Sequence, residues 1–179
     1  MVEPMTRVLN IDSPLLDKRV LAVDDEPDIL DTVAEELDMC IVDKVSSYDT
    51  ALKYLLSYTY DVVILDIMGV NGFELLKTSV SRGFPTVIFT GHAVSPQSLK
   101  KSIRLGAVFF LPKEKIVELV PFLEDVVMGK YKQIWRKLFD RLGSYFDRQF
   151  GPDWKKRDAF FKAFEDELRK DMEADRKGK

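Results

Sequence analysis

The chain holds one cysteine, one histidine and no apolar run of membrane-spanning length, and each shortage removes a class of protein. With Cys40 alone there can be no internal disulfide, so a packed core must hold the fold, and the apolar neighbours of Cys40 mark it as a small buried hydrophobe. With His92 alone, His-rich metal sites are excluded, and a Ser-His or Cys-His catalytic pair would hang on that one residue. Crossing a bilayer as a helix takes about 20 consecutive apolar residues, and the runs here stop at strand length. The start, Met1-Val-Glu-Pro-Met5, lacks the basic region and apolar core of a signal peptide, so a cytoplasmic address is expected. No phosphate-cradling glycine loop or hydrolase signature is present, so no separate enzymatic output is expected.

What is there is one ordinary domain with room for an appendage: 179 residues, 46% apolar and 32% charged. The net charge of -3 hides an asymmetry. Residues 130–179 carry 15 Lys and Arg against 10 Asp and Glu, leaving 12 against 20 for residues 1–129, so the back is +5 and the front -8. Such a split suggests two parts with different tasks.

The organising stretch is Asp61-Val-Val-Ile-Leu-Asp66-Ile-Met-Gly-Val-Asn-Gly72, an apolar run that ends in a carboxylate and a glycine-containing loop. A run of this kind suits a strand buried on both faces of a parallel sheet, with Asp66 at the end that faces the ligand crevice. A second run, Arg19-Val-Leu-Ala-Val23, ends in Asp24-Asp25. Cys40–Val45, Thr86–Thr90 and Ala107–Leu111 read as three further strands. Helices are expected between them: one opened by Glu26-Pro27, one capped by Ser46-Ser47, one over Gly72–Val80, one from Ser95-Pro96 to a stop at Gly106, and one from about Lys115. Five strands alternating with five helices predict an α/β parallel sheet covered on both faces.

Residues 1–17 read as a loosely attached extension, 18–129 as the α/β domain and 130–179 as a helical tail. The tail has a wide aromatic stripe at helical spacing, with Trp135, Leu138, Phe139, Leu142, Tyr145 and Phe146, interrupted at Gly151-Pro152. A second helix with Phe160, Phe161, Phe164, Leu168 and Met172 follows, its polar end expected to fray. So apolar a stripe must be covered, and its width favours two covers at once: the paired helix, the face near Phe110, or a second subunit in a homodimer.

Four ordered pieces, Val23-Asp24-Asp25-Glu26-Pro27, Leu65-Asp66, Phe89-Thr90-Gly91 and Phe110-Leu-Pro-Lys113, each close one strand, and together they resemble the receiver domain of two-component response regulators over about residues 18–129. The resemblance implies a flavodoxin-like fold with strand order 2-1-3-4-5 and a crevice between the first and third strands. It implies that Asp66 accepts a phosphoryl group from a histidine kinase, and that Mg²⁺ is held by Asp25, Asp66 and the Met68 backbone carbonyl, with Asp24 helping through water. Lys113 would pair with Asp66 and then with the phosphoryl group, Thr90 would donate its hydroxyl to a phosphoryl oxygen, and Phe110 would turn inward as Thr90 moves. The chemistry agrees: a carboxylate can attack phosphorus only if the repulsion between anions is offset, and an oxygen-rich cluster suits Mg²⁺. Three positions depart from the family pattern: Glu114 replaces the proline after the lysine, the loop after Asp66 lacks its proline and is about two residues shorter, and Phe110 stands where tyrosine is usual.

Plainer readings stand beside these. Paired acids before a helix often only offset the macrodipole, a strand-end threonine is often only that, and aromatic stripes more often pack than stack on bases. His92 is expected at the rim of the site as a surface residue. The expected function is phosphorylation-controlled signalling through an unknown downstream protein. Two rivals are a DNA-binding regulator using the basic tail, disfavoured because no helix-turn-helix is recognisable there, and a pseudo-receiver that takes no phosphate, disfavoured because all the chemical residues are present.

Overall fold

The computed structural model describes residues 11–91 and 94–178. Strands β1 Arg19–Val23, β2 Ile41–Val45, β3 Val62–Leu65, β4 Thr86–Thr90 and β5 Phe109–Pro112 form one parallel sheet in the order β2-β1-β3-β4-β5. Every residue of β3 and β4 is buried, which is why those segments are almost uninterruptedly apolar. β2, at an edge, carries Asp43 and Lys44. Register positions the chemistry: Val23 pairs with Leu65, so Asp24 and Asp66 leave the sheet side by side, and Thr90 pairs with Pro112, so Lys113 follows beside it.

Helices α1 Pro27–Glu36, α2 Tyr48–Ser57, α3 Gly72–Ser81, α4 Pro96–Arg104 and α5 Leu119–Val127 connect and cover the strands. Their starts follow local chemistry. The Ser47 side chain accepts from Thr50 N–H, Ser95 and Ser98 form a reciprocal capping box, and Pro27 and Pro96 sit in first turns where no N–H is needed.

Three expectations need correction. β5 starts at Phe109 rather than Ala107, because the Ala107 N–H is spent on the Ser102 carbonyl in closing the end of α4. The helix expected from Lys115 starts at Leu119, after a 3₁₀ turn over Lys113–Glu118 broken at Lys115. Pro121 explains the delay: it is tolerated in a first turn but would disrupt the interior of a helix begun earlier. The segment before β1 is not loosely attached over its described part. Leu15 is fully buried, Asp17 N–H donates to the Met39 carbonyl, and the Ser13 hydroxyl donates to Glu124 on α5. Residues 1–10 lie outside the described residues.

Beyond α5 the chain forms α6 Tyr131–Phe150, a 3₁₀ turn Trp154–Arg157 and α7 Ala159–Lys177, which stays helical through the polar end expected to fray. One flank of α6 lies on α5 and β5 and the other on α7. Trp135 meets the edge of Phe164 at 5.8 Å between ring centres, and Phe139 meets Phe164 at 6.2 Å. The stripe therefore has two covers, both from the same chain, and it no longer calls for a second subunit.

Candidate functional site

At the C-terminal ends of β1, β3, β4 and β5, four side chains converge on a small polar cluster. Asp24 and Asp66 are 3% and 5% exposed and Thr90 is wholly buried, whereas Asp25 and Glu26 stand open to water. Thr90 Oγ1 donates to Asp66 Oδ1 at 2.8 Å, and Met68 N–H reaches the same oxygen at 3.4 Å. Lys113 Nζ donates to the other oxygen, Asp66 Oδ2, at 2.8 Å. Lys113 also lies 2.6 Å from Asp24 Oδ2 and 3.2 Å from Glu26 Oε1. Asp24 Oδ1 is satisfied by Glu26 N–H at 2.9 Å.

Three carboxylates, Asp24, Glu26 and Asp66, meet one ammonium, and the titration behaviour follows. Burial pushes the Asp24 carboxyl above its ordinary value and neighbouring Asp66 adds to the rise, against the pull of Lys113 and Glu26 N–H. Burial pulls the Lys113 ammonium down, but its contacts with Asp24 and Asp66 outweigh that and hold it above the ordinary lysine range.

One oxygen from each of Asp24, Asp25, Glu26 and Asp66 lies within 4.8 Å of the others. Asp24 Oδ2 is buried and meets Lys113 as an ion pair but has no hydrogen bond of good geometry. An all-oxygen donor set with a surplus of negative charge and one poorly satisfied buried oxygen fits a hard divalent cation such as Mg²⁺.

The short loop after Asp66 makes this closeness possible. Gly69 has φ +80, and a Cβ there would fall 2.2 Å from Asp25 Oδ2. Gly72, at the start of α3, presses against the Asp66 backbone, where a Cβ would lie 1.9 Å from the carbonyl oxygen. Neither clearance was foreseen from sequence; a glycine within the loop that follows a site carboxylate and another at the start of the next helix are the signal that would have found them. Glu26 as a partner of Lys113 was also missed, although it adjoins Asp24-Asp25.

The structure brings together Asp24, Asp25, Asp66, Thr90 and Lys113, and of Met68 it shows the backbone N–H at the site, where the carbonyl was the expected ligand. Phe110 lies wholly buried on β5. The Lys113–Glu114 peptide is trans. His92 lies outside the described residues.

The family model of the response regulator receiver domain matches residues 20–123. The chain belongs to that family. A CheY-like receiver domain protein from Methanospirillum hungatei JF-1 is similar at 22% identity and TM-score 0.55, covering 64% of this chain and 98% of that one. The non-phosphorylated HemR receiver domain from Leptospira biflexa is similar at 28% identity and TM-score 0.56, covering 62% and 94%. A response regulator from Burkholderia pseudomallei, solved with a phosphorylated aspartic acid, calcium ion and citrate, is similar in fold at 21% identity and TM-score 0.53, covering 64% and 72%. No curated protein matches the chain. Among the described residues of this receiver protein, no helix is long and apolar enough to cross a membrane.

Proposed function

We propose that this receiver is the phosphorylation-controlled switch of a two-component system: a histidine kinase delivers a phosphoryl group to Asp66, and the modified protein signals in the cytoplasm by binding another protein. The observation that carries the reading is that Thr90 and Lys113 hold opposite oxygens of one buried carboxylate inside an acidic cluster. In the transfer, an Asp66 oxygen bonds to phosphorus as the bond from phosphorus to the kinase imidazole nitrogen breaks, the electron pair staying on that nitrogen. Hydrolysis reverses the state: water attacks phosphorus, inorganic phosphate leaves and the carboxylate is restored. Asp25 and Asp66 would hold Mg²⁺ directly, with the Met68 carbonyl and Asp24 assisting; when bound, the ion offsets the repulsion between carboxylate and phosphoryl oxygens. Thr90 and Lys113 then bind the new oxygens.

Thr90 and Lys113 already bond the unmodified carboxylate, so phosphate biases the protein only by the difference between the old contacts and the new ones. DNA binding by the tail is the weaker reading, since many of its cations already meet acids: Lys132 with Asp171, Lys137 with Asp125, Arg141 with Glu118 and Lys155 with Glu165.

Incubation with a small acyl phosphate and Mg²⁺ is expected to add one phosphoryl group by intact mass, and Asp66→Asn to abolish it. Unchanged labelling of the variant would refute the assignment.

A further inference from the structure

Helices α6 and α7 meet along two seams, and only one of them is closed. On the first, Lys132 of α6 pairs with Asp171 of α7 at 3.1 Å, and Phe164 is met edge-on by the rings of Trp135 and Phe139. Lys132 meets a later residue of α7 than Trp135 does, so the two helices run antiparallel. On the second seam a groove of about 270 Å³ stays open, floored by Phe139, Leu168 and Met172. It continues past Arg136 and Met172 into a wider trough of about 630 Å³ that ends at Arg176 and Gly178. At 1.5 Å per residue the opening follows α7 from Glu165 to its end for about 20 Å, the length of a helix of roughly four turns.

The charges along this opening are graded. Asp140 and Glu165 line the end towards the connecting turn, Arg136 and Arg169 line the middle from opposite helices, and Arg176 lies at the far end beside Asp175. Among the described residues Arg136 and Asp140 form no ion pair. Arg169 reaches only Asp166 of its own helix, at 4.0 Å, and Glu165 is held by Lys155 at 2.7 Å. Two cations thus stand on opposite lips of an apolar floor, and an anionic group laid between them would relieve their repulsion.

We infer that the open seam of α6 and α7 is the docking groove for an amphipathic helix of a partner protein, one whose C-terminal half carries acids opposite Arg136 and Arg169. Two antiparallel helices offer the groove into which the third helix of a bundle packs, and an apolar stripe on the incoming helix would cover the half-buried Met172. The direction follows from the charges. A helix carries partial negative charge at its C-terminus and partial positive charge at its N-terminus. Its C-terminal end therefore belongs at the arginines and its N-terminal end beside Asp140 and Glu165, parallel to α7. In that direction the α7 of a second copy would bring Arg176 and Lys177 against like charges, so a foreign helix fits better than another copy of this chain. Nothing in the inference depends on the chemistry of Asp66.

Binding of two labelled synthetic peptides to the full chain, read by fluorescence anisotropy, tests this. Both are helices of about four turns with one stripe of leucines; one has lysines in its first turn and glutamates in its last two, and the other has the charges exchanged. The peptide that ends in glutamates is expected to bind about three- to tenfold tighter, as for two exposed ion pairs. Arg136→Glu combined with Arg169→Glu, on the open lips, should reverse that preference, and Met172→Lys should weaken both peptides several-fold. Equal affinity for the two peptides, binding of neither, or a preference unchanged in the arginine variant would overturn the inference. Concentration-dependent dimerisation of the chain that the arginine substitutions abolish would also overturn it, by showing that a second copy fills the groove.

Discussion

Gly69→Ala isolates the contribution of the shortened loop. The new Cβ would sit 2.2 Å from Asp25 Oδ2 and 2.3 Å from its carboxyl carbon, so the carboxylate must retreat by about 1 Å to restore van der Waals contact. Asp25 is exposed, and its side chain can rotate away at little cost to the fold. The residual penalty is that of a non-glycine residue at φ +80, about 1 to 2 kcal/mol. For a chain of this size that lowers the melting temperature by roughly 2 to 8 °C. The effect on the cation is larger, because the atom displaced is the proposed ligand: about 10- to 100-fold weaker Mg²⁺ binding, as for other disturbed metal shells. Calorimetric titration with Mg²⁺ beside thermal unfolding in chelator separates the two effects. Mg²⁺ affinity within twofold of the parent, with the melting point lowered as expected, would refute the argument that Gly69 makes room for Asp25 to ligate.

Asp24→Asn is expected to raise the melting point of the cation-free protein by about 2 to 4 °C at pH 7, because it neutralises one of several crowded acids, and to weaken Mg²⁺ binding. The sign with pH follows from the raised Asp24 value: a buried carboxylate that resists ionisation costs stability above its folded pKa, and the cost fades as pH falls towards the unfolded value, so the variant's advantage should shrink with acidification. Lys113 adds no slope near neutrality, since the stability from its raised value is lost only on passing above the ordinary lysine range; a loss of stability between pH 7 and 9 traced to Lys113 would contradict that. Trp135→Ala is expected to cost about 3 to 5 kcal/mol in urea unfolding, since the ring is buried between Phe139 and Phe164. Light scattering on the unmodified protein should give the mass of one chain; a stable dimer would mean that the stripe's two covers in cis are insufficient.

The sheet was legible because β3 and β4 are buried on both faces and so wrote themselves as continuous apolar runs. The site was legible for a related reason: strand ends in a parallel sheet cannot hide a carboxylate cheaply, and Asp24 and Asp66 each follow such a run. Leu15 was not legible. It is one of two adjacent leucines between Pro14 and the charged pair Asp17-Lys18, and its burial beside an exposed Leu16 depends on packing far along the chain. The Tyr145–Glu114 contact joins residues 31 apart in sequence, and no local period announces such a pair. Pro121 did carry the signal for the late start of α5, and reading it as a first-turn residue would have moved the boundary.

The connection between α5 and α6 is only Met128, Gly129 and Lys130, with Gly129 at φ +73 and buried Asp125 reaching Lys137 across the bend. A segment tethered that closely meets its docking site at an effective concentration on the order of millimolar or more. The tail's surface contacts can then be individually feeble and still be made nearly all the time. A partner competing in trans for the surfaces that α6 and α7 cover faces that local concentration. Single substitutions among the tail's exposed ion pairs, such as Lys132 with Asp171, should therefore leave its docking almost unaltered.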